Sequence, residues 1–197
     1  MRKSPLGLLL ALGLTIWPTA GLAERYEVVP GSGTEIVFLS RAPMEKFEGR
    51  TGHVEGWLDA DLSALDQAVE LEVRVDLASF DTGMGKRNAH MRENHLETEK
   101  YPVAIFRGGQ ISGQSAPGLM VGSTVTLMLA GTLNLHGVNR DTTCEVILTR
   151  PGEGELAVEA RFEVLLPDYQ IKRPGFLVMK LAEDQKVIAK LILKKES

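Results

Sequence analysis

Hydrophobic and polar residues alternate along most of the chain, which is the pattern of a β-strand with one face turned toward a core. The clearest run is 69–77, where five aliphatic residues alternate with four charged ones. Four further runs alternate in the same way, at 125–135, 144–148, 156–164 and 187–193. Three segments do so less regularly, at 34–40, 53–60 and 102–107. The pattern therefore predicts about eight strands.

Short turn-forming sequences separate these strands. Glycine, proline, serine and asparagine cluster at 30–33, 114–118, 136–139 and 151–154. Connections this short favour antiparallel hairpins, because parallel strands need a long crossover between them. The exception is 85–97, which lacks β-branched residues and is rich in helix formers, and which predicts a short surface helix.

Several predicted strands reach about ten residues, against a usual length of roughly five or six. Antiparallel strands of this length pair as a sandwich or close as a barrel. Gly56 and Gly131 lie inside strand patterns, and each would ease the sharp coiling that closure requires. A small barrel is filled by its own side chains or holds one slim ligand, and the pattern leaves both open. We predict an all-β fold of about eight antiparallel strands with one short surface helix, arranged either as a sandwich or as a barrel.

The N-terminal segment has the layout of a secretory signal peptide. Arg2 and Lys3 precede an apolar stretch at 6–16, and Gly21-Leu22-Ala23 provides a small-residue cleavage site. The apolar stretch is shorter than the ~20 residues of a transmembrane helix. We therefore expect a cleaved signal peptide at 1–23, a single exported domain at 24–197, and a periplasmic or otherwise secreted product.

Composition argues against several classes of protein. The 197 residues carry a net charge of −4 without a basic stripe, which does not favour nucleic-acid binding. The single cysteine, Cys144, excludes an internal disulfide and a multi-cysteine zinc site, and its place on an aliphatic strand face predicts a buried core residue. The nucleophile motif G-x-S-x-G and the phosphate-binding P-loop are absent from the sequence. We predict no catalytic residue, no cofactor and no bound metal.

The histidines offer the main alternative. His90 and His95 share the predicted helix, but five positions correspond to about 140° around its axis. Two metal ligands on one helix face need a spacing of three or four. A metal-dependent hydrolase that uses His90 and His95 remains a rival hypothesis, distinguishable by elemental analysis.

Three sequence blocks, taken together, resemble a known family. The first joins Phe47-Glu48-Gly49 to Val54-Glu55-Gly56-Trp57-Leu58. The second joins Thr82-Gly83 to 87–92 and 100–106, and the third is 131–138. Their order and spread over about 34–195 resemble the YceI-like family. The chain departs from that pattern at Asn88, where the family often has Asp, and at Glu97-Thr98, where it often has two Phe.

This resemblance implies an all-β fold, an extended eight-stranded antiparallel lipocalin-like barrel with one short surface helix. Its apolar pore is expected to hold a polyisoprenoid, a quinone-type ligand or a similar long-chain amphiphile. It also implies export to the bacterial periplasm. The predicted pore residues are Phe38, Phe47, Trp57, Leu71, Val73, Val75, Phe106, Leu127, Leu129, Leu133 and Phe162. The candidates for contact with the ligand head group are Arg87, Asn88, His90, Asn134 and His136.

Three hypotheses about function follow. The leading one is a periplasmic carrier or sequestering protein for an isoprenoid-like lipid. The second is an accessory or docking protein of the cell envelope with a filled barrel, and the third is the hydrolase described above. A partner in the envelope membrane and a monomeric or dimeric state are both compatible with the sequence.

Overall fold

The computed structural model describes residues 23–31, 33–42, 45–67, 69–173, 175–176 and 179–196. The predicted signal peptide lies, apart from Ala23, outside the described residues. The strands are β1 Glu24–Val28, β2 Glu35–Ala42, β3 Glu45–Thr51, β4 Val54–Ala60, β5 Glu70–Asp76, β6 Val103–Ser112, β7 Thr124–Leu135, β8 Val138–Gly152, β9 Glu155–Leu165, β10 Gly175–Phe176, β11 Met179–Lys180 and β12 Asp184–Lys195. The helix α1 is Gly85–Asn94, and two short 3-10 helices are Leu77–Ser79 and Leu166–Tyr169.

The main sheet closes on itself. From β4 to β9 each strand pairs antiparallel with the next strand in sequence, β9 pairs with β12, and β1 pairs with both β12 and β4. Tyr26 on β1, for example, lies opposite Lys195 on one side and Leu58 on the other. Consecutive strands joined by short loops produce this up-and-down order. The predicted closed, eight-stranded antiparallel barrel is confirmed.

Two of the eight barrel strands are long, bent strands made of two segments each. Val28 of β1 lies opposite Leu193 of β12, and Glu35 of β2 lies opposite Lys190 further along the same edge. The next strand is divided likewise into β3 and β4, which pair with β2 and β1. The sequence pattern missed β1 and β3, because each has too few apolar residues to show an alternation.

The barrel has two different ends. At the end we call the loop end, the connections 61–67 and 113–123 fold over the opening, and the amide of Leu119 donates to the carbonyl of Leu62. Leu62, Leu65 and Leu119 are all buried there. At the opposite end, which we call the helix end, α1 covers the opening beside β3. The apolar core therefore extends along the barrel and is sealed by leucine side chains at one end.

At two glycines in the barrel, the backbone of the neighbouring strand lies too close for a Cβ atom. Gly131 on β7 lies opposite Gly108 on β6, and a Cβ at residue 131 would come within 2.3 Å of the carbonyl oxygen of Arg107. At Gly56 a Cβ would come within 2.4 Å of the carbonyl oxygen of Glu72. The sequence pattern associated these two glycines with closure. The backbone of the neighbouring strand leaves no room for a side chain at either position.

Within the described part of the chain, none of the helices has the length and apolar character needed to cross a membrane.

The closeness of β6 and β7 gives a first prediction. Gly131→Ala should lower the free energy of unfolding by about 1–3 kcal/mol, because the added carbon forces two paired backbones apart. Urea denaturation measures the change. The control is Gly152→Ala, since nothing lies within 4 Å of a Cβ at that position. Equal denaturation midpoints for the two variants would contradict the explanation.

Candidate functional site: an apolar cavity through the barrel

A cavity of about 860 Å³ occupies the interior of the barrel. It reaches from Leu62 and Leu65 at the loop end to Lys86 and His90 on α1 at the helix end. Ligand pockets in proteins typically measure about 300–1,000 Å³ and are mostly apolar. The strand pattern left open whether the barrel is filled or hollow, and the structure shows a hollow one.

The inward faces of the strands form the wall. Ten of the eleven predicted pore residues line the cavity on the inward register of their strands, namely Phe38, Phe47, Leu71, Val73, Val75, Phe106, Leu127, Leu129, Leu133 and Phe162. The period-two alternation placed these side chains correctly, because one face of each strand turns to the lumen. Their contact with a ligand stays a prediction.

Trp57 requires a correction. It borders the cavity, but it lies opposite Glu72 on β5 and Glu27 on β1, on the outward register of β4. The guanidinium of Arg25 lies 4.3 Å from the centre of its ring, on the outer surface. Its neighbour Leu58 is the inward residue. We therefore no longer count the Trp57 ring among the pore groups.

Further wall residues were not among the predictions. Aliphatic side chains from β2, β4, β6, β8, β9 and β12 complete the lining, among them Ile36, Leu58, Ala104, Val146, Val158, Val187 and Leu191. Ile36, Ala104 and Val158 lie on the same strand faces as predicted pore residues, and the others continue the aliphatic faces of β4, β8 and β12, so the alternation could have found them. Cys144 also lines the cavity and is buried, as predicted, and burial raises the pKa of its thiol to about 11.

Charged and amide side chains line the cavity only near the helix end, within the described residues. Lys86, Arg87 and His90 come from α1, and His95 follows the helix. Glu45 on β3 and Gln185 on β12 lie on the barrel side of the opening. The cavity therefore combines a long apolar part with a polar rim at one end.

Arg87 connects α1 to the barrel. Its Nη1 donates to Glu45 Oε1 at 2.7 Å, and its Nε and Nη2 donate to the hydroxyl and carbonyl oxygens of Thr82, each at 2.9 Å. The guanidinium lies 4.1 Å from the centre of the Phe47 ring, which is a cation–π contact. Glu45 compensates the charge of Arg87. The three nitrogens of the Arg87 guanidinium each already donate a hydrogen bond within the protein.

Asn88, predicted at the ligand head group, instead holds the helix in place. It is buried outside the cavity wall, its Nδ2 donates to Asp81 Oδ1 at 2.7 Å, and its Oδ1 accepts from the amide and hydroxyl of Thr82. An amide can donate and accept at once, whereas an ionised Asp would place a second carboxylate against Asp81. This explains why Asn suits the position where the family often has Asp.

Asn134 and His136, also predicted at the head group, lie away from the cavity. Asn134 donates from Nδ2 to Asn139 Oδ1 at 2.7 Å across the β7–β8 hairpin. His136 is buried in the turn of that hairpin, donates from Nδ1 to the carbonyl oxygen of Tyr169 at 3.1 Å, and packs on the Tyr101 ring. Both residues stabilise the helix end without lining it, so we withdraw them as head-group contacts.

His90 and His95 lie together, contrary to the helical-wheel estimate. Nδ1 of His90 and Nε2 of His95 are 3.2 Å apart. The estimate was wrong because α1 ends at Asn94, and His95 leaves helical geometry with φ −127° and ψ −54°. Among the described residues, however, no group of three or more His, Cys, Asp or Glu side chains is arranged to hold a metal ion.

His95 ties α1 to the segment that follows β9. Its Nδ1 lies 2.7 Å from the carbonyl oxygen of Lys172. Because a carbonyl only accepts, Nδ1 carries the proton and donates. Burial lowers the pKa of His95 and favours the neutral ring.

Fold and cavity together define an eight-stranded antiparallel barrel that encloses an elongated apolar cavity with a polar rim at one end. The family model described as the YceI-like domain matches residues 26–192. The chain belongs to the YceI-like family, as the sequence blocks predicted.

Solved structures support the same fold. A polyisoprenoid binding domain from Saccharophagus degradans superposes with a TM-score of 0.68 at 19% identity, over 89% of this chain and 99% of that one. BcnA of Burkholderia cenocepacia gives 0.64 at 16% identity, over 81% and 95%. The YceI protein of Campylobacter jejuni gives 0.57 at 15% identity, over 76% and 84%. Comparison with curated proteins finds no significant match.

The lowered pKa of His95 predicts a pH-dependent contribution to stability. The unfolded chain binds a proton at His95 more readily than the folded protein as the pH falls through about 6.5. The contribution of the neutral, buried His95 to the free energy of unfolding is therefore complete above about pH 6.5 and is lost as the pH falls below it. Between about pH 7.5 and about pH 5.5, the melting temperature of the wild type should fall more than that of His95→Gln.

The control for this comparison is His53→Gln, because His53 is exposed and lies outside the cavity wall. This variant should keep the pH dependence of the wild type. An identical fall in melting temperature for His95→Gln and the wild type would contradict the assignment of a buried, neutral His95.

Proposed function

We propose that this protein binds a polyisoprenoid or a similar long-chain amphiphile and carries or sequesters it without chemical turnover. The hydrocarbon chain occupies the barrel cavity, and the head group lies at the helix end. The observation that carries the proposal is the distribution of polarity, since the described wall residues are aliphatic and aromatic along its length, and the charged and amide ones among them lie at the rim beside α1.

A hydrophobic wall is sufficient to hold such a ligand. Burial of ~400 Å² of hydrocarbon at ~25 cal/mol per Å² supplies roughly 10 kcal/mol before the costs of ordering the ligand. The interaction is non-directional, so an isoprenoid chain needs few polar contacts along its length. Sealing of the loop end by Leu62, Leu65 and Leu119 orients the ligand, because the charged and amide groups that the described wall offers to a head group lie at the helix end.

The comparisons support the ligand class. The domain from Saccharophagus degradans is described as polyisoprenoid binding, and it aligns with 89% of this chain. The hollow interior favours the carrier over the hypothesis of a filled docking barrel. The paired histidines bond to each other and to a backbone carbonyl, an arrangement that ties α1 to the barrel and gives no specific support to the hydrolase hypothesis.

Mass spectrometry of lipids extracted from the purified protein tests the proposal. We expect an isoprenoid-like lipid in stoichiometric amount, and uptake of added prenyl lipid by protein from which the lipid has been removed. An empty cavity in protein from several expression hosts, together with no uptake, would refute the proposal.

A pair of substitutions on β7 tests the location of the site. Leu129 faces the cavity, and its neighbour Met128 faces solvent. Leu129→Trp should reduce lipid uptake at least about tenfold, because an indole ring fills space that the hydrocarbon needs, while its apolar surface avoids the cost of a buried charge. Met128→Trp is the matched control and should leave uptake unchanged. Equal uptake by two folded variants would place the lipid elsewhere.

We further propose that the protein is exported to the periplasm, and that residues 1–23 are removed on the way. The support is the basic, apolar and small-residue order of that segment. N-terminal sequencing of protein recovered from the periplasmic fraction should begin at Glu24. Recovery only in the cytoplasm, with Met1 retained, would refute export.

A further inference from the structure

If a ligand binds in the cavity as proposed above, the hydrogen bonds already made at the helix end limit the kind of head group that this opening can bind. His95 donates from Nδ1 to the carbonyl of Lys172, so its neutral ring has only a lone pair at Nε2. His90 Nδ1, at 3.2 Å, must then donate to it. Neutral His90 consequently carries its proton on Nδ1 and leaves Nε2 as a hydrogen-bond acceptor.

His90 lines the cavity, and its Nε2 has no hydrogen-bond partner among the described residues. Gln185 provides a second acceptor. It is buried, lines the cavity, and donates from Nε2 to the carbonyl oxygen of Ala182 at 2.8 Å. Its Oε1 therefore points away from that carbonyl and accepts no hydrogen bond within the described part of the chain.

The charges at the rim do not favour an anion. Arg87 is already paired with Glu45 and bonded twice to Thr82. The Glu45 carboxylate itself lines the cavity and would repel a phosphate. Lys86 also lines it, but it is exposed, and water screens an exposed ammonium strongly. Among the described rim groups, the buried Gln185 Oε1 is thus an acceptor without a partner, and His90 Nε2 is a second one on a side chain that, like Lys86, is exposed.

We propose that the head group bound at the helix end is uncharged and donates a hydrogen bond, as a prenyl alcohol or a long-chain phenol does, and that it is not a phosphate. Gln185 Oε1 and His90 Nε2 are the two acceptors that the rim offers to this donor. Arg87, which in isolation suits a phosphorylated head, instead has the structural role of attaching α1 to β3.

Three ligands with the same tail test the proposal on the wild-type protein after removal of bound lipid. They are geranylgeraniol, its methyl ether, which lacks the donor, and geranylgeranyl monophosphate. Titration calorimetry or native mass spectrometry gives the three dissociation constants. One hydrogen bond to an acceptor at the rim is expected to make the alcohol roughly five- to tenfold tighter than the ether, and the alcohol should also bind more tightly than the phosphate.

His90→Phe should weaken the preference for the alcohol over the ether, because it removes one of the two acceptors, whereas His53→Phe, the same change at a histidine outside the wall, should retain it in full. An ether that binds the wild type as tightly as the alcohol, or a phosphate that binds more tightly than both, would overturn the inference while leaving the proposed function intact. Binding of none of the three would refute the proposed function itself. The ligand series on the wild type decides the matter even if His90→Phe fails to fold.

Discussion

Closure of the sheet is the constraint on which the rest of this structure depends. β12 pairs with β9 along one edge and with β1 and β2 along the other. A closed barrel satisfies its backbone hydrogen bonds strand to strand. Here the second edge of β3 carries only the bridge between Arg50 and Asp81 and lies beside α1. The wall is therefore held by the backbone ladder, and the interior does not have to be filled for the sheet to persist. Glycine at 131 and 56 permits the close strand contacts that closure imposes.

A polar network at one end complements this apolar wall. Asn88 and Arg87 attach α1 to the loop before it and to β3, and His95 attaches the end of the helix to the backbone at Lys172. These bonds use most of the polar groups at the rim for structure. What remains for a ligand is a small set of acceptors, and this is why the rim can discriminate between head groups while the wall holds many kinds of chain.

The alternation of residues was sufficient to predict most of the strands and the inward face of most of them, and the family resemblance selected the barrel over the sandwich. It failed where alternation is weak, as in β3, and it misplaced Trp57, whose strand parity with Asp59 assigns it to the outer face. The head-group residues were predicted less well. Asn134 and His136 are polar residues in a turn region, and their sequence does not indicate whether they face the lumen or bond to neighbouring segments.

The amino-acid sequence by itself determined most of the strands, the aliphatic face of most of them and the family, because these depend on local periodicity and on short ordered motifs. Tertiary structure alone decided that the barrel is hollow and that His90 meets His95. Interior volume depends on how far eight strands coil around one axis. The histidine contact depends on where a helix ends and on a carbonyl 77 positions further along the chain. Both are non-local quantities that no pattern along the chain contains.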